Sequence, residues 1–246
     1  MTGPTSARTL FVTGTDTAAG KTRVACALIR AARAEGIRVF GWKPVATGCE
    51  RTADGLRNAD ALALQAAAGS DEPYELLNPC AYERAVAPHL AASLEQRPIR
   101  LAEMDRAHRE LTQRYELIVA EGAGGWRVPL DEVWTLGAWV AEREWPVLLA
   151  VGLRLGCLNH AMLTAEAVAR DTRLAGWAGS VLPPPMDVLD RNLMTLRERI
   201  AAPCWGVLRN GEEDFADRSA LVQVLERWRK GQAAGVSSSG GSSSRM

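Results

Sequence analysis

The chain lacks any apolar run approaching the ~20 residues needed to cross a membrane, and its opening MTGPTSAR has no apolar core of the signal-peptide kind. Neither a membrane span nor export is expected, and the reading is a protein that stays in the cytoplasm. There is no excess of charge of either sign, since Lys plus Arg and Asp plus Glu each number 29. Global charge therefore gives no reason to expect nucleic acid or an acidic membrane as partner, and any basic function must be local. Cys26, Cys49, Cys80, Cys157 and Cys204 are odd in number, widely spaced and without a C-x-x-C pair. That argues against a disulfide framework and a zinc site, and fits a reducing compartment. No internal repeat is evident.

What is present is an ordinary soluble composition, 47% apolar and 24% charged over 246 residues, enough for one large α/β core. One domain is expected over residues 1–230. The end, GQAAGVSSSGGSSSRM from Gly231 to Met246, has nothing to bury and is expected to be a flexible tail. Short apolar segments alternate with stretches of helical period, which predicts a mostly parallel sheet flanked by helices. The expected strands are TLFVT, IRVFGW, YELIVAEG, PVLLAVG, LAGWAGSV and PCWGVL, with helices starting near Lys21, Asn58, Leu101, Thr135, Leu158, Asp187 and Ala216. In such a sheet ligands bind beyond the carboxyl ends of the strands. The loops to inspect follow Thr13, Trp42, Ala120, Val151 and Val181.

The first loop reads GTDTAAGKT. Small residues let consecutive N–H groups turn inward and a helix start at Lys21 adds its positive end, making a cradle for phosphate oxygens. Lys21 then meets the phosphates and Thr22 offers a hydroxyl to Mg²⁺. The count is unusual, because five residues separate Gly14 from Gly20 where a generic phosphate loop has four. The second loop, GWKPVATG, places Lys43 before Pro44, which favours an extended backbone and a side chain directed to the cradle. Glu121 stands between apolar LIVA and the glycines of GAGG, an unlikely place for a solvated acid and a suitable one for a metal ligand. Asp60 on its own reads as a first-turn acid that favours the helix dipole. In GLRLGCLNHAML, free N–H groups at a helix start suit a carboxylate or phosphate. Cys157 has no identifiable base and reads as a small buried residue. His89 and His160 read as packing or hydrogen-bonding residues, and Trp42 and Trp126 as core or interface residues.

The segments FVTGTDTAAGKT, GWKPVATG, GLRNADALAL, EGAGGWRVPL, LGCLNHAMLT and LAGW, in that order from Phe11 to Trp177, resemble the dethiobiotin synthetase family, which writes its phosphate loop with this longer spacing. The resemblance implies a single-domain, P-loop NTPase-like α/β fold, usually a homodimer. It implies closure of a ureido ring on 7,8-diaminopelargonic acid from CO₂, with ATP and Mg²⁺, giving dethiobiotin, ADP and phosphate. It further implies that Thr22, Asp60 and Glu121 hold Mg²⁺. By the same resemblance, Thr17, Ala18, Ala19, Gly20, Lys21, Thr22 and Arg23, and Glu121, Gly122, Ala123 and Gly124, are expected to contact the nucleotide. Lys43, with Lys21, resembles the catalytic lysine set. Thr47 stands where the family commonly has a Ser near the substrate amines, and Gly156, Cys157 and Asn159 resemble the helix start that holds the substrate carboxylate across the subunit interface.

Two positions depart from the family pattern. Ala18 replaces a frequent acid near the nucleotide, and Ser180 replaces an Asn that reads adenine, with a hydroxyl in place of a paired donor and acceptor. The expectation is weak discrimination among nucleoside triphosphates. The rival reading is a partner-regulated ATPase switch of the MinD and ParA kind, but GTDT lacks the extra early lysine of those loops. A larger amidoligase would need room for a glutaminase domain, and a degenerate binder would not keep Lys21, Thr22, Lys43, Asp60 and Glu121 together.

Overall fold

The computed structural model describes residues 8–229; the segment expected to be a tail lies outside the described residues. The chain runs β1 (Arg8–Gly14), α1 (Lys21–Ala34), β2 (Val39–Trp42), β3 (Val45–Ala46), β4 (Glu50–Thr52), β5 (Gly55–Arg57), α2 (Ala59–Ala68), α3 (Tyr74–Leu77), β6 (Cys80–Ala81), α4 (Pro88–Leu94) and α5 (Leu101–Thr112). It continues β7 (Leu117–Glu121), α6 (Leu136–Glu142), β8 (Val147–Leu153), α7 (Cys157–Asp171), β9 (Leu174–Val181), α8 (Leu189–Arg199), β10 (Cys204–Leu208) and α9 (Ser219–Arg229).

All six expected strands join one sheet, in the order β2-β7-β1-β8-β9-β10, and every neighbouring pair is parallel. Helices cover both faces, so the strands are buried on both sides and read as unbroken apolar runs. Side chains alternate across the pleat. Leu10, Val12, Leu117, Val119, Leu148 and Ala150 meet Val24, Leu28 and Ile29 of α1 on one face. Phe11, Ile118, Ala120 and Val147 meet Trp42, Leu111 and Trp139 on the other.

The helix signals hold where capping chemistry supports them. Asn58 accepts from the Ala61 N–H at 3.2 Å and Thr135 from the Ala138 N–H at 3.1 Å, each satisfying an otherwise unpaired first-turn donor. The last two helices begin later than expected, at Leu189 and Ser219. Two small pairings were not foreseen: parallel β3 with β6, and the antiparallel, mostly exposed β4–β5 hairpin. Strands of two or three residues carry no readable period.

The topology sets the site. From β1 the chain crosses to edge strand β2, returns to β7 beside β1, and then departs to β8 on the other side. The crevice where strand order reverses therefore opens beyond Gly14, with β2 and its following Lys43 to one side and β9 and β10 to the other.

Candidate functional site

The loop from Gly14 to Gly20 lies pressed against the sheet. Gly20 has φ +84, and a Cβ there would stand 2.3 Å from Ser180 Oγ, so both backbone conformation and space require glycine. Ala18 also takes a left-handed conformation, φ 58, which costs a residue with a Cβ about 1–2 kcal/mol. At the start of α1, Lys21 is buried, with Nζ donating to the Asp16 carbonyl at 2.9 Å. Burial, reinforced by the nearby charge of Lys43, lowers its pKa to about 8.

Lys43 follows β2 and is 3% exposed. Its backbone is held at both ends: its N–H donates to the Leu77 carbonyl at 2.9 Å, and its carbonyl accepts from Asn78 Nδ2 at 2.7 Å. Its ammonium donates to Glu121 Oε1 at 2.6 Å, Asp60 Oδ2 at 3.1 Å and the Gly122 carbonyl at 3.3 Å. Burial opposes that charge, but the Glu121 and Asp60 carboxylates outweigh it and hold Lys43 above the usual lysine value. Lys43 in turn overcomes the burial of Asp60 and holds its carboxyl below the usual range. Thr22 donates to Glu121 Oε1 at 2.9 Å. Glu121 is fully buried at the end of β7, and its Oε2 has no hydrogen-bond partner among the described residues. A carboxyl oxygen without a partner at such depth is costly unless a cation or donor completes it.

These groups border one cavity of about 700 Å³. Of the residues singled out in the sequence, Thr17, Ala18, Gly20, Lys21, Thr22, Arg23, Lys43, Thr47, Asp60, Glu121, Ala123 and Gly124 line it. Ala85, Val86, Ala87, Pro88 and Val128 add an apolar wall that sequence reading missed. Ala85–Pro88 follow β6, whose pairing with β3 no local motif announces.

Other expected residues do not border the cavity. Ala19 is turned into the core against Gly152. The Gly122 N–H is engaged by the Val12 carbonyl at 3.0 Å. Ser180, expected to face the nucleotide base, is fully buried, with Oγ accepting from Arg23 at 2.9 Å. Gly156 and Asn159 are exposed at the start of α7, with Cys157 buried beside them. Burial raises the Cys157 thiol, leaving it an inert packing residue in this environment. That helix start is linked to the phosphate loop by Arg154, which pairs with Asp16 at 2.7 Å.

The donors at Thr22, Asp60 and Glu121 are hard oxygens, two carboxylates and a hydroxyl, which is what Mg²⁺ takes when phosphates and water complete its shell. No group of three or more His, Cys, Asp or Glu side chains suited to a metal occurs among the described residues. The arrangement fits Mg²⁺ held jointly with a nucleotide, rather than an all-protein cage.

An AAA-domain family model matches residues 8–213. The chain is 48% identical to an ATP-dependent dethiobiotin synthetase of Cellvibrio japonicus, over 82% of this chain and 90% of that protein. It is 44% identical to ATP-dependent dethiobiotin synthetase BioD 1 of Escherichia coli strain K12, over 80% and 88% respectively. A crystal structure of a ParA-family ATPase from Chlorobium tepidum aligns with a TM-score of 0.51 at 13% identity, covering 92% of this chain and 91% of that one. That last likeness concerns the fold alone. At 44–49% identity over most of its length, the chain belongs to the ATP-dependent dethiobiotin synthetase family.

Proposed function

We propose that this protein is an ATP-dependent ligase that closes a ureido ring on 7,8-diaminopelargonic acid with CO₂, giving dethiobiotin, ADP and phosphate. The observation that carries the reading is the buried Lys43 ammonium, held by Glu121 and Asp60 beside Lys21 in a single cavity. An amine of the substrate adds to CO₂ and loses a proton to give a carbamate. The carbamate oxygen takes the γ-phosphoryl group, releasing ADP, and the second amine displaces phosphate to close the ring. Lys21 and Lys43 offset the negative charge on the transferring group, the electrostatic work on which phosphoryl transfer depends. No protein nucleophile is needed.

Thr22, Asp60 and Glu121 are the residues that would hold Mg²⁺, which supplies further positive charge to the triphosphate when bound. Lys43, which also donates to the Gly122 carbonyl at 3.3 Å, borders the same cavity and would offset charge on the reacting oxygens. Thr47 lies near the substrate amines, and the wall of Ala85–Pro88 and Val128 suits the alkyl chain. The substrate carboxylate is assigned to Gly156, Cys157 and Asn159 of a second subunit, so the working unit is a homodimer. What supports that assignment is the exposure of Gly156 and Asn159 beside an apolar surface: Leu155 is 94% exposed and Leu163 58%. A cytoplasmic location is supported by five free cysteines. No helix among the described residues is long and apolar enough to cross a membrane.

The test is incubation of the purified protein with diaminopelargonic acid, bicarbonate, Mg²⁺ and ATP, with dethiobiotin read by mass spectrometry. Product that requires all four confirms the reaction. ATP hydrolysis indifferent to the diamine would favour a nucleotide switch instead.

A further inference from the structure

Arg23 follows Thr22 in the first turn of α1 and borders the cavity. Its guanidinium makes four hydrogen bonds to distant segments. Nη1 donates to Ser180 Oγ at 2.9 Å and to the Val181 carbonyl at 3.2 Å. Nη2 donates to the Arg209 carbonyl at 2.7 Å and to the Glu212 carbonyl at 3.0 Å. One planar fork thus joins the start of α1, the end of β9 and the loop after β10, a span that the single point of a lysine ammonium cannot reproduce. All four acceptors are neutral, so the arrangement acts as a bracket rather than an ion pair. Ser180 in turn lies against Gly20, which connects the bracket to the phosphate loop.

The sheet order gives this bracket a functional address. Lys43, Thr47 and the Ala85–Pro88 wall lie on the β2 side of the phosphate loop, where the diamine is read. A nucleotide whose phosphates occupy that loop must extend its nucleoside the other way, past Arg23 and Leu182 toward β9 and β10. The Ser180 hydroxyl is already taken there by Arg23. Base and ribose therefore meet walls whose shape is set by the bracket.

We propose that Arg23 is a positioning residue for the nucleoside end of the nucleotide, a role that rests on ATP being the co-substrate. Arg30 provides an internal control. Two turns along the same helix face, it pairs with Asp214 at 2.8 Å and donates to the Glu213 carbonyl, holding the outer end of the same loop away from the cavity.

The experiment compares the full-length protein with Arg23→Ala, Arg23→Lys and Arg30→Ala, using a fluorescent ATP analogue, inorganic tripolyphosphate as competitor, steady-state kinetics for ATP, and thermal melting. In Arg23→Ala, analogue Kd and ATP KM should rise about tenfold, more than kcat falls, while tripolyphosphate affinity stays within about twofold. Arg23→Lys should recover part of the loss. Arg30→Ala should lower Tm while changing ATP KM less than about twofold. Unchanged ATP affinity in Arg23→Ala, an equal loss of tripolyphosphate affinity, or an equal ATP defect in Arg30→Ala would each overturn the proposal. If Arg23→Ala does not fold, wild-type ATP affinity in Arg23→Lys overturns it. Because binding is measured apart from ring closure, a protein that binds ATP through Arg23 but makes no dethiobiotin would refute the proposed reaction and leave this inference standing.

Discussion

The two ends of the cavity are built on opposite principles. At the phosphate end, Lys21, Thr22, Lys43, Asp60 and Glu121 bring opposed charges together, three of the five buried, with hydrogen bonds as short as 2.6 Å. At the nucleoside end, one arginine organises neutral oxygens, three of them backbone carbonyls. A buried charge cluster tolerates little variation, because removing one member leaves another uncompensated. A bracket on backbone carbonyls is indifferent to the side chains it holds, so the segments after β9 and β10 can vary in sequence while the wall keeps its shape. The expected departures from the family pattern, at Ala18 and Ser180, do not touch the buried charge cluster.

The contrast can be broken most severely at Lys43. Lys43→Ala should reduce dethiobiotin formation at least ~1,000-fold. It should also destabilise the fold by about 3–5 kcal/mol, because Glu121 is left buried without its counter-ion. Mass spectrometry and chemical denaturation read the two effects, and near-normal turnover would remove Lys43 from the chemistry. Glu121→Gln keeps the shape and deletes the charge. Product formation should fall on the order of 100-fold, and more Mg²⁺ should be needed for half-maximal rate. An unaltered Mg²⁺ titration would take Glu121 out of the metal site.

The nucleoside end should show gentler behaviour. With the Ser180 hydroxyl engaged by Arg23, kcat/KM for ATP, GTP and CTP should agree within about tenfold. A strong ATP preference would mean that backbone groups read the base.

Protonation sharpens the comparison further. The folded Lys21 value, about 8, lies below its usual 10.5. Its protonated form therefore costs the nucleotide-free fold stability below about pH 8, and that cost is relieved as pH rises from about 8 toward 10.5. Triphosphate binding favours the ammonium, so near and above pH 8 binding should take up protons. Calorimetry in two buffers of different ionisation enthalpy measures the uptake, which Lys21→Arg should abolish. The smallest effect belongs to Arg154→Ala, which breaks a half-exposed pair with Asp16 and should cost no more than ~1 kcal/mol in denaturant unfolding.

Much of the phosphate end was legible in the chain because its residues sit where strands stop. Glu121 ends β7, Lys43 follows β2 before Pro44, and Thr22 lies in the first turn of the helix after the β1 loop. Asn58 announced α2, and with it the depth at which Asp60 lies. The support for Lys43 was not legible, since Asn78 reaches it from 35 residues away through a connection without periodicity. The apolar wall at Ala85–Pro88 was missed because small residues in a loop look alike whether they face a cavity or solvent. Ser180 was placed correctly in β9 but expected to face the base, because nothing local shows that Arg23 reaches it.

The chain by itself therefore determined the strand order of chemistry: apolar runs that must be buried on both faces, glycines where a Cβ has no room, and charged residues at strand ends. These are local consequences of sterics and of the cost of burying polar groups. The tertiary structure decided which of those groups meet. Lys43 chooses Glu121 across 78 residues and Arg23 chooses carbonyls more than 150 residues away, and such pairings exist only once the sheet has brought separate strand ends to one crevice.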